Sequence, residues 1–446
     1  MKVHAAALAF LLLLPCTDAA AVQAPPMVVV PNEADATLVG PWRFHVGDDS
    51  RWADPGLDDS GWETVDLSAP SSATDGDVGL PNYASGWSAR GHAGYSGYAW
   101  YRIRLSLRTP PGESLALLGP WAVDSAYQIY ENGALLGGVG DFSGSTPAGH
   151  GYHYPTFFAL PSTTSRSSPV VIAIRVWMGP WALSDPRSGG IHIAPAVGDR
   201  PIIAAQYQLQ WLKIFEGYVV DAIPALLFFL AALMALCMQP FDRGGGAYRW
   251  LAAALLLSGI QRGNQAFFFW LRIETVREFV IFIIALSGSL SMGAWMMAWR
   301  GWLEAQRPAW LPTAVAVLTV VLFAAQLLAH PWVFGAAFPH VASIGVRYLI
   351  TTVRLAFLLV FALIAYQGIR RSPREGWYAL PAMLAIGAVL FTTELAAAHI
   401  PGIWFPWGVG LSLSECASAV FVLLLFVLIV RRLWSYAARL QPARSA

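Results

Sequence analysis

Seven long apolar runs occupy the chain between about residues 214 and 430. A hydrocarbon core roughly 30 Å thick takes about 20 apolar residues as a helix, so runs of this length read as membrane spans. The spans are expected at 214–238, 249–270, 278–300, 311–329, 343–368, 378–399 and 409–430. Their connections are short, which makes sequential helices antiparallel neighbours. A segment of soluble character precedes them, and residues 431–446 follow as a tail.

Composition agrees with a membrane protein. Of the 446 residues 56% are hydrophobic and 12% charged, and the mean hydropathy is +0.51, the signature of a chain with long apolar stretches. Many of the tryptophans fall where helices meet an interface, at Trp211, Trp250, Trp270, Trp302, Trp310, Trp404, Trp407 and Trp434, as an aromatic belt requires. The net charge of +1 gives no basis for a nucleic-acid partner.

Residues 1–21 read as an export signal. Lys2 is the positive start, Ala5 to Leu14 the apolar core, and Ala19 to Ala21 the small-residue cleavage site. Cys16 offers a lipoprotein alternative, which Pro15 before it fits poorly. Cys237 and Cys416 sit in apolar runs, so the exported domain is expected to hold no disulfide and to rest on a packed core.

Export places residues 22–210 outside and runs the first helix inward. Alternation then puts about eleven basic residues in inner loops and tail against about two in outer loops, which satisfies the positive-inside rule. The inner set includes Arg300, Arg307, Arg370, Arg371, Arg374, Arg431 and Arg432. The expectation is a bacterial inner membrane, an N-terminal domain in the periplasm and a cytoplasmic C-terminus.

Residues 36–200 show short β-rich runs between turns, and helical periodicity is absent. Tyr98 to Leu107 alternates, with Trp100, Arg102 and Arg104 on one face. Ala126 to Tyr130 leads into Asn132-Gly133, a hairpin turn in which both positions need φ > 0. Val170 to Trp177 is another strand. Several short strands at such spacing predict a sandwich or barrel.

Five segments carry a family resemblance, in order along the chain. They are Gly40-Pro-Trp-Arg-Phe44, Leu57-Asp-Asp-Ser-Gly-Trp62, Gly97-Tyr-Ala-Trp-Tyr-Arg102, Val123-Asp-Ser-Ala-Tyr-Gln-Ile-Tyr-Glu-Asn-Gly133 and Ile172-Ala-Ile-Arg-Val176. The set resembles the sugar-binding jelly roll of family 2 glycoside hydrolases. Joined to seven helices, the chain resembles the bacterial seven-transmembrane receptors with diverse intracellular signalling modules. That resemblance implies an all-β, galactose-binding-like jelly-roll sandwich followed by a seven-helix bundle. In that family an output domain, such as a kinase, a cyclase or a phosphatase, follows the bundle. The tail 431–446 is too short for one, so the output is expected on a separate cytoplasmic protein.

Candidate sites fall in three places. The acidic run Asp48, Asp49, Asp54, Asp58 and Asp59 holds enough oxygens for calcium, although Asp-rich turns ahead of Trp62 account for it more simply. A ligand site is expected from two loop stretches. The first holds Asp75, Asp77, Tyr83, Trp87, Arg90, His92 and Tyr95, the second Asp141, His150, Tyr152, His153 and Tyr154. Aromatic faces beside polar groups suit a sugar ring, while the plainer alternative is that these rings cap the core. The histidines lack the spacing of a zinc site, and neither metal nor cofactor is expected. With roughly 17 acids to 10 bases, the outer domain disfavours a polyanionic ligand.

The third place lies among the helices. Glu216, Asp221, Arg262, Arg347, Arg354, Glu394 and Glu415 all map to the outer half of the bundle. Charges in hydrocarbon face the interior and pair with one another. One network is expected, serving as structural glue, or as a polar cavity that binds a ligand or relays its binding.

Walker, H-E-x-x-H and G-x-S-x-G motifs are missing, so an enzyme is not expected. The reading is a sensory receptor for a small, carbohydrate-like ligand, with membrane lipid around it. Its partner is a separate cytoplasmic signalling protein or a second copy of the chain. Alternatives are a transporter or channel component with an outer binding domain, a membrane enzyme acting on envelope glycans, and a receptor that has lost its output domain.

Overall fold

The computed structural model describes residues 27–30, 35–71, 73, 81–107, 114–144, 146–149, 153–161, 169–241, 246–271, 275–305, 307–334, 340–398, 403–404 and 411–440. The expected export signal, Cys16, Asp75, Asp77, His150, Tyr152 and Trp407 lie outside these residues.

The N-terminal region is a β-sandwich. Its strands are β1 (Met27–Val30), β2 (Asp35–Thr37), β3 (Trp42–Val46), β4 (Glu63–Val65), β5 (Gly97–Leu107), β6 (Leu115–Leu118) and β7 (Val123–Asp124). They continue as β8 (Ala126–Glu131), β9 (Ala134–Val139), β10 (Phe157–Ala159), β11 (Val170–Met178), β12 (Gly190–Ile191) and β13 (Ala196–Asp199). The larger sheet runs β4-β3-β5-β11-β8-β9, with β1 parallel to the far half of β5. The smaller runs β10-β6-β13-β2. Thus β1 begins ahead of residue 36, where the domain was expected to start.

Alternation fills the space between the sheets. Ala99, Tyr101, Ile103 and Leu105 of β5 meet Ile172, Ile174 and Val176 of β11 in one core with Trp42, Phe44 and Leu117. The opposite face of β5 departs from the alternation rule. Trp100 and Arg102 are fully buried there, because the loop between β3 and β4 folds across them.

The helices follow without a linker. Asp199 ends β13 and Arg200 begins α1 (Arg200–Cys237). This start lies well before residue 214. The early turns pack on the smaller sheet, where fully buried Ile203 joins Ala116, Leu118 and Ala196. Next come α2 (Ala247–Leu271), α3 (Val276–Phe279), a π-helical turn at Val280–Ser287 and α4 (Gly288–Trp302). After them come α5 (Leu311–Ala329), α6 (His340–Arg371), α7 (Pro373–Leu390), α8 (Thr392–Ala397) and α9 (Leu413–Leu440). A ribbon of β14 (Ile403–Trp404) and β15 (Leu411–Ser412) precedes α9, so the last helix starts later than residue 409 and runs on past 430.

Among the described residues, five helices are long and apolar enough to cross a membrane. They are α1, the continuous rod Val276–Trp302, α5, and most of α6 and of α9. The expected spans at 249–270 and 378–399 are not among them. Gln261, Arg262, Asn264 and Gln265 lower the hydropathy of α2. The rod at 378–399 breaks at Phe391, which separates α7 from α8.

The sandwich and the helices share a core. Trp121 packs with Ile214 and Tyr218 of α1, Phe268 and Phe269 of α2, and Val276, with Trp181 and Trp332 beside them. The Val276 amide donates to the Gly149 carbonyl at 3.2 Å. At the far end of the bundle, Arg432 lies over the Trp302 ring at 3.7 Å and Arg431 over Tyr378 at 3.6 Å. Residues 431–440 therefore continue α9 rather than form a separate tail.

Candidate functional site

The structure separates the ring residues expected to form one sugar platform. Trp87 is 2% exposed and belongs to the sandwich core. Its Nε1 donates to the Tyr95 carbonyl at 3.2 Å. It lies so close to Gly189 (φ +106°) that a Cβ there would sit 2.5 Å from the indole. Trp87 therefore has no face for a ligand, and its expected contact role is corrected. Tyr95 is half-buried and its hydroxyl donates to the Tyr98 carbonyl at 2.6 Å. His153 is 6% exposed against Phe269 of α2, at the joint between sandwich and bundle. That burial also takes it out of a loop platform.

Other members stay nearer the surface. His92 pairs with Glu63 at 3.0 Å, and Arg90 is half-buried nearby. Tyr83 stacks on His192 at 4.5 Å, with 2° between the ring planes. Tyr154 meets Trp211 of α1 edge to face, with ring centroids 6.4 Å apart. Asp141 is exposed, and it accepts from the Ser143 amide at 2.8 Å.

Sequence reasoning missed a different ring cluster. His45, Trp52 and Trp62 meet pairwise at 4.8, 5.2 and 5.1 Å on the outer face of the large sheet. His45 is exposed and the two indoles are half-buried. The signal was present in β3, where Trp42 and Phe44 point inward and leave His45 on the opposite face. What brought Trp52 and Trp62 beside it was the loop.

The carboxylates of that loop are committed to the protein. Asp59 accepts from Arg102 Nε at 2.9 Å and from Arg104 Nη1 at 2.7 Å. Arg102 also donates to the Trp52 and Asp54 carbonyls. Asp48 holds Arg175 at 2.5 Å, while Asp49, Asp54 and Asp58 each accept from a backbone amide two residues on. Buried charges with this many partners tie the loop to the sheet. The calcium alternative therefore competes with existing bonds at Asp48 and Asp59.

A second buried pair went unseen in the sequence. His192 Nε2 lies 2.9 Å from Asp124 Oδ2, and its Nδ1 lies 2.9 Å from the Ala84 carbonyl. Asp124 accepts from the Gly189 amide as well. Burial pushes the imidazole down, but Asp124 and the carbonyl outweigh it and hold His192 above the ordinary histidine value.

The charges expected in a single network fall into two groups. Arg262 of α2 bridges Asp221 of α1 at 3.0 Å and Glu415 of α9 at 3.4 Å. Arg354 of α6 pairs with Glu394 of α8 at 2.6 and 2.7 Å, and donates to the Leu390 carbonyl at the break between α7 and α8. Both groups lie in the half of the bundle nearer the sandwich. Glu216 and Arg347 join neither: both are exposed on the helical surface, with no ion pair among the described residues.

A cavity of about 410 Å³ is lined by both Arg262 and Arg354. The half of the bundle away from the sandwich is instead closed by packed Trp295, Trp299, Trp302 and Phe421.

No protein-family model matches the chain, and no curated protein matches it. Solved structures do. A β-glucuronidase 2 of Bacteroides uniformis, covalently bound to cyclophellitol-6-carboxylate aziridine, is 23% identical over 37% of this chain and 18% of its own, with a TM-score of 0.28. A β-glucuronidase from glycoside hydrolase family 2 is 19% identical over 38% and 18%, with a TM-score of 0.25. A family 2 member from Bacteroides cellulosilyticus is 19% identical over 37% and 20%, with a TM-score of 0.23. The chain thus spans 20% or less of the length of these structures.

Proposed function

We propose that the protein is a sensory receptor of the bacterial inner membrane, of the kind with a seven-helix bundle and an outer jelly roll. The sandwich lies in the periplasm and takes a carbohydrate-like ligand. The helices carry the change inward to a separate cytoplasmic signalling protein. The observation that supports this reading best is the joint. β13 enters α1 with no intervening residue, and Trp121 shares a core with α1 and α2. A rigid strand-to-helix joint lets a tilt of the sandwich become a tilt of α1. A tethered binding module would have a linker there.

Within the sandwich, the ligand surface is best sought at His45, Trp52 and Trp62, since Trp87 is core. Transport is a weaker reading, because a path must cross the whole bundle and the cytoplasmic half is filled by Trp295, Trp299 and Trp302. The test uses the full chain in lipid nanodiscs against a glycan array, followed by hydrogen exchange with a bound glycan. The expected result is binding that Trp62→Ala removes, together with altered exchange in α1 and at the Trp302–Arg432 contact. Glycan binding with no change in the helices would leave a binding protein and end the receptor reading.

A further inference from the structure

We propose that the cavity between the two ion-pair groups is a binding site for a small, uncharged, polyhydroxylated molecule, distinct from any site on the sandwich. Its wall is polar where a helical bundle is ordinarily apolar. Ser258, Gln261, Gln265, Gln326, Thr392 and Thr393 line it together with the two arginines. Amides and hydroxyls both donate and accept, which is the pattern that hydroxyl groups match. Ser289, also in the wall, is 1% exposed, and its Oγ has no hydrogen-bond partner among the described residues. A buried polar atom left unsatisfied is costly and points to an occupant.

The backbone around the cavity is irregular on two sides. Ile283 and Ile284 come from the π-helical turn, and Leu390 and Thr392 flank the break between α7 and α8. Single π turns recur at functional sites, and broken helices at membrane depth are tolerated where they line a cavity. At about 410 Å³ the space falls near the lower end of ligand pockets, about 300–1,000 Å³, which suits one small ring or a short chain. Phe228, Phe279 and Met292 give it an apolar side.

The placement of the charges decides against an ion: among the described residues the wall holds the two guanidinium groups and none of their carboxylates. The two arginines of the wall are already answered by three carboxylates, Asp221, Glu415 and Glu394. An anionic occupant would add a fourth negative charge in a medium of low dielectric, and a cation would face two guanidinium groups. An uncharged polyol meets neither penalty. Lying between the two groups, it would touch α2 through Arg262 and α6 through Arg354, and so tie the α1–α2–α9 side to the α6–α8 side.

The full chain in nanodiscs is titrated with neutral polyols from glycerol to myo-inositol, and with glucuronate and glucosamine as charged counterparts. Binding is read by ligand-observed NMR. At least one polyol should bind, and Ser289→Val and Gln326→Leu should each weaken it by about three- to tenfold, the loss of one uncharged hydrogen bond. Trp62→Ala on the sandwich should leave that binding unchanged. Glucuronate and glucosamine should bind more weakly than the best polyol. The proposal is overturned if no polyol binds, if both cavity variants bind as the wild type does, or if a charged counterpart binds more tightly. Should one cavity variant fail to fold, the other decides. Should both fail, protection of α2 and α6 from hydrogen exchange by the polyol is required, and its absence overturns the proposal.

Discussion

Arg354 and Glu394 meet in a two-point contact, Nε to Oε1 at 2.6 Å and Nη2 to Oε2 at 2.7 Å. The pair joins α6 to the short helix after the break at Phe391, and the spare reach of Arg354 takes up the Leu390 carbonyl at 2.9 Å. One guanidinium thus closes both an ion pair and a freed backbone acceptor.

Removing one partner should therefore be worse than removing both. An unpaired charge at the centre of a membrane helix costs roughly 2.5–3.5 kcal/mol on insertion scales. Arg354→Ala should lower the yield of folded protein in detergent, and adding Glu394→Ala should restore part of it. A double variant as impaired as the single one would show that the ion pair is not the source of the loss.

Trp87 makes the opposite case from a ligand contact. Trp87→Ala should destabilise the protein by about 3–5 kcal/mol, the cost of emptying a large buried site. Denaturant unfolding of the sandwich measures this. A change under about 1 kcal/mol would contradict the core placement.

His192 gives the sandwich a pH dependence of definite sign. Its folded value is raised by Asp124 despite burial. The pair's stabilisation is therefore complete below the unfolded value of about 6.5 and is lost as pH rises through the folded value. Melting temperature of the wild type should fall on going from about pH 6 to alkaline pH more steeply than that of His192→Gln. Parallel profiles would remove His192 from the account.

Topology is open to a direct test. A reporter fused after Ala446 should behave as cytoplasmic, and one inserted after Pro161 as periplasmic, given the excess of Lys and Arg at one end of the bundle. A periplasmic signal from the C-terminal fusion would refute the orientation.

The sequence alone located the long apolar helices and three of the strands. Apolar runs place α5 at Leu311–Ala329 to the residue, because helical backbone bonds are satisfied within the segment and need no partner elsewhere. Alternation located β5 because successive strand side chains point to opposite faces, although its backbone bonds run to β3 and β11. Contact between distant segments was decided only in three dimensions. Arg347 and Arg354 sit on one helix with the same chemistry, yet among the described residues only Arg354 finds a carboxylate, because α8 begins beside it and nothing described covers Arg347. Trp87 reads as a ligand contact and Trp62 as the residue after Asp-rich turns, but the Gly189 backbone closes over Trp87, and Trp62 stays half-open. A sequence pattern tells which face a side chain takes; what packs against that face is fixed by the fold.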